Sequence, residues 1–327
     1  MKELTAWQKF IQIGIIRSMK PAPTAFLIVL GFSPALPAQT AAYRIPPRVA
    51  EEAAVLEQNA GKILTMESLE QRSVMPPPRF RPRVGSAIEQ ATGPRLRVRE
   101  VLSEFSFGAL RSSESHDLIE FRQVFSVDGR PLQTADSALR ALSQGIEAGD
   151  DRVRKRMLEQ FARNGLVDIA TDYALILLAF TSRGQQQMEF APVGQGYVGT
   201  EAALTYSWKQ RSTQGGVVDF HGQQAVHRAL QGTLWVRASD GLPLRVSAWT
   251  EYTDPASQVI RDDATVEYIM SQHGFLTPAS VVHRHLVNGE VVTENLYRYD
   301  PFKLFSTSSS IKFGDLPDTA PPAPIKK

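Results

Sequence analysis

The sequence predicts an α+β fold: one long, curved antiparallel sheet, an incomplete β-barrel, with helices packed on its concave side as a lid. Two observations carry this. Residues 204–313 alternate apolar and polar side chains through several successive runs, the period-2 signature of strands with one dry and one wet face. The joints between runs are hairpin chemistry, Asp240-Gly241 and Asn288-Gly289, which accept the positive φ of tight turns.

Residues 1–38 come first in the chain. Lys2, Lys9, Arg17 and Lys20 precede an uncharged run whose centre, 25–32, is apolar, followed by Pro34, Pro37 and Ala38. A positive start, a short apolar core and a small-residue exit describe a secretory signal peptide. The apolar core is too short to span a bilayer, so the expectation is export to the periplasm or beyond, with no transmembrane span in the mature chain. Met19 is a second candidate start.

Residues 48–64 place Val49, Ala53, Leu56, Ala60 and Leu64 at helical spacing, and 63–74 then alternates as a strand. A Pro/Arg-rich stretch at 76–94 holds Arg79, Arg81 and Arg83 behind three consecutive prolines, and reads as a loop or mobile flap; its arginines could meet phosphate, but a solvated linker is the plainer reading. Two strands follow at 96–107 and 117–127, the second ending at Asp128-Gly129-Arg130-Pro131.

A helical insertion occupies 134–180. Thr134 is the expected cap of its first helix, with Ala135, Ala138, Leu139 and Leu142 on one face and Gly145 as its end. A second helix opens at Asp150 or Asp151, carries Val153, Met157, Leu158 and Phe161 as its apolar stripe, and stops at Asn164-Gly165. Arg152, Arg154, Lys155 and Arg156 crowd its start, the end of a helix dipole that disfavours cations; a ligand or partner role is the sharper alternative, a solvated face the plainer and favoured reading. Tyr173–Phe180 is an unbroken apolar run that fits a buried helix or a core strand; Asp172, placed as a cap, favours a short buried helix. Residues 39–313 form a single domain in this reading, and 314–327 a disordered tail.

Composition narrows the function. The chain has 43% hydrophobic and 21% charged residues among 327, enough apolar material for a sizeable core. Its formal charge of +2 comes from the first 38 residues, which hold four of the 36 basic residues and one of the 34 acidic ones. A nearly neutral remainder gives no footprint for nucleic acid. With no cysteine there is no disulfide, thiol nucleophile or Cys-ligated metal.

Four constellations bear on chemistry. Gly194-Gln195-Gly196-Tyr197-Val198-Gly199 matches a dinucleotide fingerprint in letters only, because Pro192 precedes it and an alternating strand follows where a helix is required. His283 and His285, two apart on one strand, share a face and could serve a metal-dependent enzyme if a third ligand joined them; the plainer alternative puts them on the wet face. His221 and His227 lie on a neighbouring segment. No Gly-x-Ser-x-Gly elbow or acid–base pair is present, so no catalytic residue, cofactor or metal is assigned. Tyr206, Trp208, Phe220, Tyr252 and Tyr268 fall on the dry side of the alternation, and are the candidate lining of an apolar cavity between sheet and helices.

The residues 232–236 followed by Asp240-Gly241-Leu242-Pro243-Leu244-Arg245, with Asn295-Leu296-Tyr297-Arg298-Tyr299 and Ile311-Lys312-Phe313, resemble the periplasmic lipoprotein-carrier fold, a half-open barrel. The 121–132 block is similar to one in exported bacterial proteins of the same layout. The resemblance spans residues 48–313 and implies a curved sheet around a hydrophobic cavity, open to lipid, acyl or lipoprotein-type ligands, without a cofactor. It implies no site residue position by position, and the 134–180 insertion is larger than such carriers need. The expectation is an exported, soluble binding protein for a hydrophobic ligand. The alternative is a structural or interaction protein of the cell envelope, with a protein partner and a core filled by its own side chains.

Overall fold

The computed structural model describes residues 44–75, 94–109, 118–148, 151–169, 172–212, 217–221 and 224–304. The expected signal peptide and tail, and all but the last residue of the Pro/Arg-rich loop, lie outside these residues.

Helix α1 (Pro47–Ala60) begins with proline at its first turn, where the missing N–H costs nothing. Val49, Ala53, Leu56 and Ala60 are its buried stripe. A two-residue turn leads into β1 (Ile63–Met75), which pairs antiparallel with β2 (Arg95–Ala109), and β2 pairs with β3 (Leu118–Val127). β4 (Arg130–Pro131) completes the turn after β3.

Next come α2 (Ala135–Ala148), α3 (Asp151–Arg163), a 3-10 helix at Tyr173–Phe180 and the single turn α4 (Ser182–Gln185). Thr134 caps α2 as expected, its Oγ1 accepting from the Ser137 N–H at 3.2 Å. Gly145 does not end α2. It is buried within the helix, where a Cβ would sit 3.0 Å from Val153, so its role is close packing of α3 rather than termination.

The sheet resumes with β5 (Met188–Val198), β6 (Glu201–Gln210), β9 (Gln231–Arg237), β10 (Pro243–Thr253), β11 (Val259–Met270), β12 (Leu276–Val287) and β13 (Glu290–Tyr299). A hairpin of β7 (Val217–His221) and β8 (Gln224–Arg228) forms its own two-stranded sheet between β6 and β9, and β14 (Lys303–Leu304) adds to β1. The spatial order is β4-β3-β2-β1-β13-β12-β11-β10-β9-β6-β5, antiparallel throughout. The ends do not meet, so the sheet is an incomplete barrel. The fingerprint-like glycines sit within β5 and the turn that follows it, in a β-hairpin without a βαβ unit.

The register fixes which residues share the inner face. Glu67 lies opposite Tyr299, Leu69 opposite Tyr297, and Gln71 opposite Asn295; Val281 pairs with Tyr297 and His283 with Asn295. On this face α1 and the 3-10 helix pack into one continuous apolar core with Phe105, Leu234, Val246, Val266 and Leu276. Helix α2 takes the opposite face of the β2–β3 end. Ile119 and Phe121, which alternate with the inward Glu120 and Arg122, form a second cluster with Leu142, Ile146 and Val153. Part of the helical insertion therefore backs the sheet, while α1, outside that insertion, shares the inner side.

Candidate functional site

The inner face changes chemistry along its length. From β5 to β10 it presents Phe190, Tyr206, Trp208, Leu234, Val246 and Ala248, an apolar surface. From β11 across to β3 it carries polar groups: Asp262, His283, His285, Thr293, Asn295, Gln71, Glu67, Arg122 and Glu120. Of these, Glu67, Gln71, Glu120, Arg122, His283, Thr293 and Asn295 are buried.

The 3-10 helix Tyr173–Phe180 lies in the trough between these halves. Its sequence, Tyr-Ala-Leu-Ile-Leu-Leu-Ala-Phe, has no polar face to offer solvent, and six of its eight residues are buried. Eight residues is long for 3-10 geometry, whose hydrogen bonds are poorer than those of an α-helix. External contacts hold it. The Ala174 N–H donates to Glu120 Oε1 at 2.7 Å, the Leu177 N–H donates to the Tyr268 hydroxyl at 3.1 Å, and that hydroxyl donates to the Ala174 carbonyl at 3.1 Å. Phe180 meets Trp208 edge-on, ring centroids 5.3 Å apart, and Tyr173 lies 5.5 Å from the His283 ring.

Asp172 precedes this helix but does not cap it. Its φ of 71° aims the carboxylate outward, where Oδ1 accepts the Glu120 N–H at 3.0 Å and Oδ2 accepts Arg154 Nη2 at 2.7 Å. One member of the basic cluster at the start of α3 is thereby an ion-pair partner and not a solvated cation.

Beneath the helix sits a buried ionic triad that sequence reading did not single out. Arg122 Nε donates to both oxygens of Glu67, at 2.8 and 2.9 Å, and its Nη1 is 2.6 Å from Glu120 Oε2. Phe105 and Tyr297 flank the guanidinium at 4.9 and 5.0 Å. Two carboxylates share one cation here. Burial pushes both Glu67 and Glu120 above their ordinary value of 4.5, against the pull of Arg122; for Glu120 the neighbouring Asp172 and Glu67 add to the rise. Burial alone would lower Arg122, but the two glutamates hold it well above its ordinary range.

A second polar chain runs across β1, β13, β12 and β11. Gln71 Nε2 donates to the Asn295 Oδ1 at 2.7 Å and to the Val167 carbonyl at 2.6 Å, while its oxygen accepts the Val167 N–H at 3.1 Å. Asn295 Nδ2 donates to the Asp168 carbonyl at 2.7 Å and lies 3.2 Å from His283 Nδ1; Thr293 Oγ1 donates to Asp168 Oδ2 at 2.7 Å. Strand side chains thus clamp the link between α3 and the 3-10 helix.

Asp262 Oδ1 lies 2.7 Å from His285 Nδ1 and 3.5 Å from His283 Nε2. Burial would raise the Asp262 carboxyl, but the two imidazoles outweigh it and hold the group well below the usual range. His283 and His285 are on the inner face, not the wet one: they share a side of β12 with Val281, which pairs with Val266 of β11 in the core. Among the described residues, no group of three or more His, Asp or Glu side chains is arranged to hold a metal ion.

The five expected aromatics separate. Tyr206, Trp208 and Tyr268 are buried on the inner face, and Trp208 Nε1 donates to the Ser247 carbonyl at 3.2 Å. Tyr252 is half-buried at the end of that face, with the Arg228 guanidinium over its ring at 3.3 Å. Phe220 is on β7, part of the small separate sheet, and its side chain lies outside the described set, as do those of His221 and His227. A cavity of about 270 Å³ opens on the other side of the sheet, lined by Ser68, Glu70, Glu100, Leu102, Ser126 and Arg298. Leu69 and Val101 also reach it, so its walls mix polar and apolar groups.

No protein-family model matches the chain, and no curated protein matches it. Among solved structures it is similar to an outer membrane lipoprotein-sorting protein domain from Vibrio parahaemolyticus, at 7% identity over 82% of this chain and 94% of that one, with a TM-score of 0.31. It is also similar to a LolA superfamily protein from Nitrosomonas europaea (11%, 81% and 95%, 0.30) and a DUF1329 family protein from Desulfovibrio piger (8%, 80% and 94%, 0.32). No helix among the described residues is long and apolar enough to cross a membrane.

Proposed function

We propose that this chain is an exported envelope protein that binds a hydrophobic ligand, an acyl chain or a lipidated segment, in the trough of its open sheet. The observation that carries the reading is the Tyr173–Phe180 helix. It is a wholly apolar segment in an uncommon helical form, occupying the trough between a clamped link and the single turn α4. Such a segment acts as an internal substitute for ligand. Displacing it would uncover Tyr206, Trp208, Tyr268 and the aliphatic floor, without disturbing the strand ladder. Burial of an acyl chain contributes roughly 0.8 kcal/mol per methylene, so a chain of ordinary length offsets the loss of the helix's own contacts.

The test is mass spectrometry of lipids that accompany the purified protein, with titration of a fluorescent fatty acid followed through Trp208 and its neighbours. Co-purified lipid or saturable binding supports the reading. A lipid-free protein that ignores the probe sinks it.

The burial of the inner face by the protein's own side chains favours one second reading, an envelope interaction protein with a filled core. A stable protein partner in crosslinking from the envelope, together with no lipid binding, would select it.

A further inference from the structure

Arg95, Arg97 and Arg99 occupy alternate positions at the start of β2, on the inner face, opposite Met75, Ser73 and Gln71 of β1. The pairing of β3 with β2 ends at Val101 and Val127, so this arginine segment has β1 on one side and no strand of β3 on the other. The end of α3 lies over it. Gly165 stops that helix with φ of +68°, and a Cβ placed there would lie 3.0 and 3.2 Å from the terminal nitrogens of Arg97 and 3.4 Å from Arg99 Nη2. Two guanidinium groups therefore converge on one point beside Gly165.

Their charges are incompletely answered. Asp128 pairs with Arg99 Nη1, but Arg99 Nε is buried without a hydrogen-bond partner. No carboxylate among the described residues pairs with Arg97. Ser73, buried opposite Arg97, spends its hydroxyl on the Met75 thioether at 3.9 Å, a weak acceptor. Adjacent guanidinium groups repel unless an anion lies between them, and their planar forks match the spacing of phosphate oxygens.

We propose that Arg97 and Arg99, with Ser73 beside them, form a binding site for an oxyanion of the phosphate class at the end of the inner face. The site adjoins Gln71, whose amide clamps Val167 ahead of the 3-10 helix. If the ligand is an amphiphile, which rests on the function proposed above, its anionic head lies here and its chain in the trough; the oxyanion site itself stands without that reading.

The experiment is calorimetric titration of the full chain at constant ionic strength, first with inorganic phosphate, then with a short-chain phosphatidic acid below its micelle concentration. Saturable phosphate binding is expected, weakened roughly tenfold or more in Arg97→Gln by loss of a bidentate contact. Arg72→Gln, on the outer face and paired with Glu70, should bind as the parent does. Should Arg97→Gln fail to fold, Arg97→Lys keeps the charge without the fork, and is expected to fall between. Phosphatidic acid bound more tightly than phosphate, by an Arg97-dependent increment, identifies a lipid headgroup. Equal affinity for both identifies a free oxyanion, and keeps the site while removing the amphiphile. The proposal is overturned if the folded parent ignores phosphate, or if Arg97→Gln binds it undiminished.

Discussion

Glu120 and Ala174, fifty-four residues apart, are joined by a 2.7 Å hydrogen bond that fastens the 3-10 helix to the ionic triad beneath it. One carboxylate oxygen holds that N–H while the other pairs with Arg122. Glu120→Ala would free a buried N–H and half-strip a buried cation. Removing one partner of a buried pair costs about 3–5 kcal/mol, so the variant should unfold at markedly lower urea. Glu120→Gln keeps an acceptor for Ala174 and should lose less. Equal losses for the two would show that the hydrogen bond to the helix contributes nothing.

The triad also sets a pH dependence. Glu67 and Glu120 titrate above 4.5 when folded, so the folded state holds their protons more tightly than the unfolded chain. Their contribution to stability is complete below about 4.5 and is lost as pH rises through the folded values. Glu67→Gln mimics the protonated side chain permanently. The stability difference between parent and variant should therefore move in the parent's favour as pH falls from about 8 to about 5. Urea midpoints across that range would read it, and a constant difference would refute it.

Asp262 works in the opposite sense. Its carboxyl is held below its ordinary 3.8, so it stabilises the fold above that value and ceases to do so as pH falls through the lower folded one. Asp262→Asn should cost about 1.5–3 kcal/mol near neutrality, the range for a charge-assisted hydrogen bond. The deficit should shrink below about pH 4, visible as a shallower acid-unfolding curve.

Much of this architecture was legible. Strands such as β10 and β11 show one apolar row, Val246-Ala248 and Ala264-Val266, because only one of their faces meets the core. The pairing of β1 with β13 left no local trace, since Glu67 and Tyr299 become neighbours only through the fold. The triad was missed for a physical reason. In β3, Glu120 and Arg122 alternate with Ile119 and Phe121, which reads as wet against dry, yet α2 buries one face and the core the other. Asp172 misled similarly: it stands where a cap belongs, but its left-handed backbone turns the carboxylate toward β3 and Arg154.

Tyr268→Phe is the sharpest probe of the helix as a displaceable element. The hydroxyl bridges the Ala174 carbonyl and the Leu177 N–H, and burial pushes its ionisation far above the ordinary 10.0, so it acts as a neutral hydrogen-bonding group. Its removal leaves two backbone groups unanswered at about 1–3 kcal/mol. If the helix yields to ligand, the same change should raise affinity for a fluorescent fatty acid while lowering stability. Loss of stability with no gain in affinity would mean the helix is simply core.

Gly232→Ala tests the floor of the trough. A Cβ at Gly232 would lie 1.9 Å from the Ser247 carbonyl oxygen, the atom that also accepts Trp208 Nε1. Backbone cannot retreat from such a contact as a flexible side chain can, so β9 and β10 must part. Overpacking of this kind costs about 1–3 kcal/mol. Because Trp208 stands opposite Gly232 in register, the separation should loosen its indole hydrogen bond and shift its fluorescence to longer wavelength. Parent-like emission and stability would show that the strands approach less closely than this geometry requires.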